Sequence, residues 1–332
     1  MSHKPPTPYL GKMVFDFQHI NLVPKLCVVE SRNECSTKIK IGNNIFNLPV
    51  VPANMECIIN EDIAVLLAQD GYFYIHHRFN VDTVKFALRM RNLGLPVSIS
   101  IGVNEDAYQI INDLEQNGVY PEYVTVDIAH GHSIKMKKIL EFLTNLKQKP
   151  FIIAGNVSTQ EAVRDLEMWG ANAIKIGIGP GAACTTYVAT GFGSRGIQAS
   201  TIQLCSKAKK NPNTLIVADG GIREPGDIAK SLALGADLVM VGGMFSGLKD
   251  SPGNTISGTD NRLYKEFWGS ASAFQSGKTN RIEGTKKLVL MKQTGFLEEL
   301  NYIKECLQSA ISYGGGKTLE SLKTLEIIVK TL

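Results

Sequence analysis

The sequence has no CxxC pair: its six cysteines, Cys27, Cys35, Cys57, Cys184, Cys205 and Cys306, follow no regular spacing. With no recognisable secretory signal at the start, this argues against a disulfide framework and for reduced thiols in a cytoplasmic protein. No apolar run approaches the roughly 20 residues that span a bilayer, so no membrane role is expected. No block of like charge stands out either. The net charge of +4 comes partly from lysines spread through the last third, among them Lys286, Lys287, Lys292, Lys304, Lys317, Lys323 and Lys330. Nucleic acid is therefore not an expected partner, whereas a small anionic substrate is compatible. Solenoid repeats and low-complexity stretches are absent too.

What is present is a rhythm. Short β-branched runs open near Val50, Phe73, Val97, Tyr123, Phe151, Ala173, Leu215 and Leu238, and most are followed by an amphipathic stretch. Continuous apolar runs alternating with helices mark buried parallel strands in βαβ units. Eight units predict a closed (β/α)8 TIM barrel, whose site lies in the loops after the strands. A barrel of roughly 250 residues plus insertions accounts for the length, giving one domain over 1–332 with an N-terminal β-hairpin arm over about 1–49.

Within that arm the sequence predicts an extended, proline-containing start (Pro5, Pro6, Pro8). A strand pair then follows over Leu26–Ser31 and Thr37–Leu48, with a further tight turn at Gly42-Asn43-Asn44, forming a lid on the barrel's bottom. Helices are expected over Asn60–Gln69, Val81–Leu93, Asp106–Gln116, Ile134–Leu146, Thr159–Trp169, Pro225–Leu234 and Leu297–Ser312. Asn80 and Ser158 are the expected N-caps. Two long loops without regular structure follow strands six and eight. Loops of that length in a compact domain are usually functional.

The loop after strand six reads GIGPGAACTT, with Gly177, Gly179 and Gly181 ahead of Cys184. Alternating glycines let the backbone bend sharply and approach a ligand, and a cysteine carried there is placed for nucleophilic attack. A small buried cysteine packing the loop is the competing reading. Thr186 and, in the second long loop, Glu283 are candidates for proton transfer. ADGGIR (Ala218–Arg223) and VGGMFSG (Val241–Gly247) end strands seven and eight, where barrels often hold a phosphate on backbone N–H groups. Asp219 would then point at ribose hydroxyls. Asp127, His130 and His132 after strand four make a weak metal set, and His76-His77-Arg78 after strand two reads as pocket lining.

Several segments together resemble the IMP dehydrogenase/GMP reductase family. They are PANM (Pro52–Met55), His77-Arg78, DIAHGHS (Asp127–Ser133), AGNV (Ala154–Val157), GIGPGAACTT (Gly177–Thr186), TGFG (Thr190–Gly193), ADGGIR, VGGM (Val241–Met244), GSAS (Gly269–Ser272) and IEG (Ile282–Gly284). They run collinearly over nearly the whole chain. Three features favour the bacterial-type reductase branch: close spacing of the first three strands, two threonines after the cysteine, and a loop after strand eight too brief to hold the dehydrogenase's mobile flap.

The resemblance implies an NADPH-dependent oxidoreductase that converts GMP to IMP and ammonia, in purine salvage, through a covalent adduct on Cys184. Thr186 and Glu283 would be the proton relay. Arg78, Asp219, Gly220, Gly221, Gly242, Gly243, Met244, Trp268, Gly269 and Ser270 would hold the nucleotide, and Asp127, Ala129, His130 and Arg281 the cofactor. It also implies a K+ site on carbonyls of Gly179, Gly181 and Cys184, and a homotetramer. Tyr187 and Trp268 depart from the family pattern. IMP dehydrogenase is the alternative within the family. A flavin-dependent barrel and a purine-binding barrel without turnover are the alternatives outside the reductase reading.

Overall fold

The computed structural model describes residues 13–277, 280 and 282–330. The proline-containing start therefore lies outside the described residues. Seven parallel strands form one curled sheet in the order Val50–Pro52, Leu238–Val241, Leu215–Asp219, Ala173–Ile176, Phe151–Val157, Tyr123–Asp127, Ser98–Ile101. The first strand of this sheet in chain order pairs with its last, as in a TIM barrel, with Val50 opposite Val239.

The second expected strand is in place but makes no ladder. Residues 73–77 are buried beside Ser98–Ile101, joined by the His76 N–H donating to Ser98 O at 3.2 Å. The reason lies in Tyr74. Its hydroxyl donates to Pro96 O at 2.6 Å and accepts from Ser98 N at 3.1 Å, occupying backbone groups that a ladder would use.

Strand alternation sends one set of side chains into the barrel and the other toward the helices. Val51, Phe73, Tyr123, Ile153, Ala173, Val217 and Met240 fill the interior as one apolar cluster. Ile41 and Phe46 join it from a hairpin, Ile39–Ile41 with Asn44–Phe46. This hairpin is shorter than the expected pair. Leu26 and Val28 are exposed, and Arg32–Glu34 forms a 3-10 turn capped by Ser31, so the first leg has no partner strand. The Tyr123 hydroxyl bonds Ile41 O and Asn44 Nδ2, at 2.8 and 2.9 Å, and anchors the hairpin under the barrel.

The helices fall near their expected spans, for example Glu61–Gln69, Pro225–Ala233 and Phe296–Tyr313. Two caps move. Asp82, not Asn80, accepts from Lys85 N, and Thr159, not Ser158, accepts from Ala162 N. Asn80 instead takes a positive φ of 52°. The long loops carry more structure than expected. The one after strand six holds a short helix, Thr186–Thr190, and runs into the helix Gln198–Ser206. The one after strand eight folds into an antiparallel sheet of Thr255–Ser257, Leu263–Trp268 and Lys286–Leu290. No helix among the described residues is long and apolar enough to cross a membrane.

Candidate active site

The first glycine after Ala173–Ile176 is fixed by close approach. At Gly177, with φ 147°, an added Cβ would lie 1.9 Å from Asp219 O. This binds the loop after strand six to the end of strand seven. The turn that follows is closed by Cys184 N–H donating to Gly181 O at 3.0 Å, and it presents Cys184 half-buried.

Segment 283–285, from the other long loop, straps this turn down. Thr185 N–H donates to Glu283 O and Thr285 N–H to Ala183 O, each at 2.9 Å, and Cys184 pairs with Gly284. Gly284 also pairs with Ser272, and a Cβ there would meet Ser272 N at 2.9 Å. Lys287 Nζ donates to Ala182 O at 2.6 Å. Two segments about a hundred residues apart in sequence are thus held in one register.

That register aligns three side chains. Cys184 Sγ lies 3.2 Å from Thr186 Oγ1, and Thr186 Oγ1 donates to Glu283 Oε2 at 2.6 Å. Threonine has one hydroxyl proton. With that proton given to the carboxylate, Oγ1 is left as an acceptor for the thiol. The arrangement is a path from Cys184 through Thr186 to Glu283. Cys184 is also the one cysteine that lines the large cavity among the described residues. Burial pushes the thiols of Cys57 and Cys205 up to about 12, which keeps both protonated and unreactive.

The cavity has a volume of about 1060 Å³ and opens where the strands end. Its floor is polar. Lys175, on the sixth strand with only 2% of its side chain exposed, reaches Asp127 Oδ1 at 2.9 Å and Asp219 Oδ2 at 3.1 Å. Asn54 Nδ2 donates to Asp127 Oδ2 at 2.9 Å, and Asn156 Nδ2 to Asp219 Oδ2 at 2.8 Å. Burial alone would push the Asp127 carboxyl up. The adjacent Lys175 ammonium and hydrogen bonds from Lys175 and Asn54 hold it below the ordinary carboxylate value instead. Lys175 is correspondingly held above the ordinary lysine value: burial opposes its charge, and the two aspartates outweigh it. Arg78 Nε and Asn156 Oδ1 are buried and lack a partner, in residues that line the cavity.

Most expected site residues converge here. Cys184, Thr186, Glu283, Arg78, Asp219, Gly220, Gly221, Gly242, Gly243, Met244, Gly269, Ser270, Asp127, Ala129, Gly179 and Gly181 all line the cavity. Among the described residues two do not join them. Trp268 is buried outside the lining; its indole N–H donates to Gln275 Oε1 at 2.8 Å and its ring packs edge-on against Phe274. Its neighbours Gly269 and Ser270 line the cavity, whereas the indole is turned toward Gln275 and Phe274. His130 is exposed and also outside the lining. Arg281 lies outside the described residues. Of the other histidines, His132 pairs with Asp165 at 2.8 Å, and His76 is stacked on Phe86.

Sequence reading missed Lys175, Asn54 and Asn156. The one signal was a lysine inside the apolar run AIKIGIG, on the face that strand alternation sends into the barrel.

A TIM-like barrel with a loop-borne cysteine, a threonine–carboxylate pair and glycine turns after strands seven and eight around one cavity defines a class: barrel enzymes whose site lies in the loops after the strands. The sequence comparisons narrow the class. A model of the "IMP dehydrogenase / GMP reductase domain" matches residues 14–331, so the chain belongs to that family. Proteins named GMP reductase are similar over nearly their full length. That of Clostridium acetobutylicum is 49% identical over 318 residues, 95% of each chain. That of Mesoplasma florum is 46% identical over 319 residues, covering 96% of this chain and 98% of its own. That of Bacillus cereus is 48% identical over 318 residues, 95% of each.

Proposed function

We propose that this chain is a GMP reductase that removes ammonia from GMP by reduction and releases IMP. The Cys184–Thr186–Glu283 chain opening on a nucleotide-sized cavity is the observation that carries the reading. Ligand cavities commonly run from roughly 300 to 1,000 Å³, so this one has room for a nucleotide and part of a second ligand. The orphaned polar atoms of Arg78 and Asn156 fit such ligands, since each is left to be satisfied on binding.

In this reading Cys184 attacks carbon 2 of guanine as a thiolate, and its proton passes through Thr186 to Glu283. An amine leaves poorly unless protonated, so the relay returns a proton to it and ammonia departs, leaving a thioimidate on Cys184. NADPH, when bound, supplies the hydride that replaces the sulfur at carbon 2. GMP, NADPH and two protons thus balance IMP, ammonium and NADP+.

The remaining assignments follow position. Asp219 takes the ribose, and the N–H groups of Gly220, Gly221, Gly242 and Gly243 take the phosphate, with Met244 alongside. Gly269 and Ser270 face the purine edge and Arg78 the reacting end of the base. Asp127 and Ala129 line the nicotinamide side. Carbonyls of Gly179, Gly181 and Cys184 are the place for a monovalent cation; the Gly181 oxygen already accepts Cys184 N–H and keeps one lone pair for it. NADPH over NADH, a role in purine salvage, a homotetramer, a cytoplasmic setting and a single barrel unit over 1–332 belong to the same proposal.

NADPH loss followed by absorbance, with and without GMP, tests the function directly. GMP-dependent oxidation with ammonia release is expected. XMP formed from IMP and NAD, with no turnover of GMP, would replace this reading with the dehydrogenase.

A further inference from the structure

Lys175 offers its ammonium to two carboxylates that face the cavity from different sides. The lysine is 2% exposed, whereas the side chains of Asp127 and Asp219 keep 19% and 17% of their surface open. Both aspartates are thus held from behind and open in front. Asn54, after the first strand, bonds Asp127 Oδ2, and its amide also meets Ser100 Oγ at 3.1 Å. Asn156, on the fifth strand, bonds Asp219 Oδ2 and Gly177 O, the latter at 2.7 Å. Asp219 Oδ1 meets no donor among the described residues. Among the described residues one buried cation is the direct link between the two acids.

We propose that Lys175 is a positioning residue that couples the nucleotide subsite to the dinucleotide subsite. The proposal rests on the reading that Asp219 faces the nucleotide ribose and Asp127 the nicotinamide ribose. A ligand hydroxyl that fixes one carboxylate fixes the shared ammonium, and with it the other carboxylate. The second ligand then meets a group already ordered, so its own binding loses less freedom. Coupling of this kind makes each ligand tighten the other by the same factor. Lysine suits the role because three protons on one nitrogen serve two separate acceptors and its charge offsets both carboxylates.

The experiment uses the full-length protein with GMP and NADP+, a pair that cannot turn over to IMP because neither supplies a hydride. Calorimetric titration of NADP+ with and without saturating GMP gives the ratio of the two dissociation constants. For the wild type GMP should tighten NADP+ about tenfold, within the usual range of coupling. Lys175→Met should bring the ratio within about twofold of one. Lys175→Arg, which keeps the charge, should retain part of the coupling. Asp127→Asn breaks the bridge from the other end with almost no change of shape, and it decides the question if Lys175→Met does not fold. Its direct loss of affinity cancels in the ratio, so a ratio near one is again expected. A wild-type ratio near one, or undiminished coupling in Lys175→Met or Asp127→Asn, overturns the proposal while GMP-dependent turnover stands. A wild type with no GMP-dependent NADPH oxidation overturns the functional reading and this proposal with it.

Discussion

Glu283→Gln tests the relay most sharply, because the change is confined to one proton. The backbone of Glu283 makes the strap: its N–H donates to Ala271 O at 3.1 Å and its carbonyl accepts from Thr185. Glutamine leaves both in place, and its amide oxygen can still accept the Thr186 hydroxyl that now meets Oε2 at 2.6 Å. What is lost is the capacity to hold and return a proton. General acid–base catalysis contributes roughly 100- to 10,000-fold, which corresponds to about 2.7–5.4 kcal/mol in the barrel's deamination barrier. Hydride transfer itself moves no proton. Presented with IMP and NADP+, the enzyme asks the relay only to take the Cys184 proton, whereas deamination asks it also to return one to the amine, and the thioimidate is left on Cys184. Rapid-mixing absorbance should therefore show a burst of NADPH much less impaired in Glu283→Gln than deamination, whose rate should be lower by at least about 100-fold. Equal losses in the two half-reactions would refute the relay and leave Glu283 as a structural acceptor for Thr186.

Cys184→Ala should abolish turnover while GMP still binds, checked by activity and calorimetry, and GMP should shield this thiol from alkylation in the wild type. Gly284→Ala places a methyl 2.9 Å from Ser272 N in a segment with no slack. The turnover number should fall at least about tenfold, a barrier rise of about 1.4 kcal/mol, with little change in the GMP Michaelis constant, because the damage is to alignment and not to binding. Trp268→Phe removes the indole bond to Gln275 and part of a buried ring. A loss of about 1–2 kcal/mol of stability is expected by chemical denaturation, with kinetic constants near wild type. An altered GMP Michaelis constant at unchanged stability would show that the indole touches the base after all.

Elements whose pattern is local were legible in the sequence. The strand runs and the cysteine loop depend on residues a few positions apart, and Gly177 announces a backbone that must pass where Asp219 leaves no room for a side chain. Contacts across the barrel left fainter marks. The sheet Leu263–Trp268 with Lys286–Leu290 was read as irregular loop because its strands mix lysines with apolar residues and its pairing crosses some twenty positions. Trp268 reads as a base contact because the family resemblance sets its loop at the purine edge. In a strand successive side chains point to opposite faces, so a residue beside a site is often turned away from it, and here the indole faces Gln275 and Phe274. Lys175 obeys the same rule in the opposite sense. Ile174 and Ile176 belong to the layer packed under the helices, so the alternate residue between them faces the barrel's interior. A cation sent there is unstable unless acids on other strands meet it. An isolated lysine at an inward position of a buried strand is therefore a signal in its own right, since it requires partners before any are known. Asp127 and Asp219, each ending a strand at the cavity, supply them.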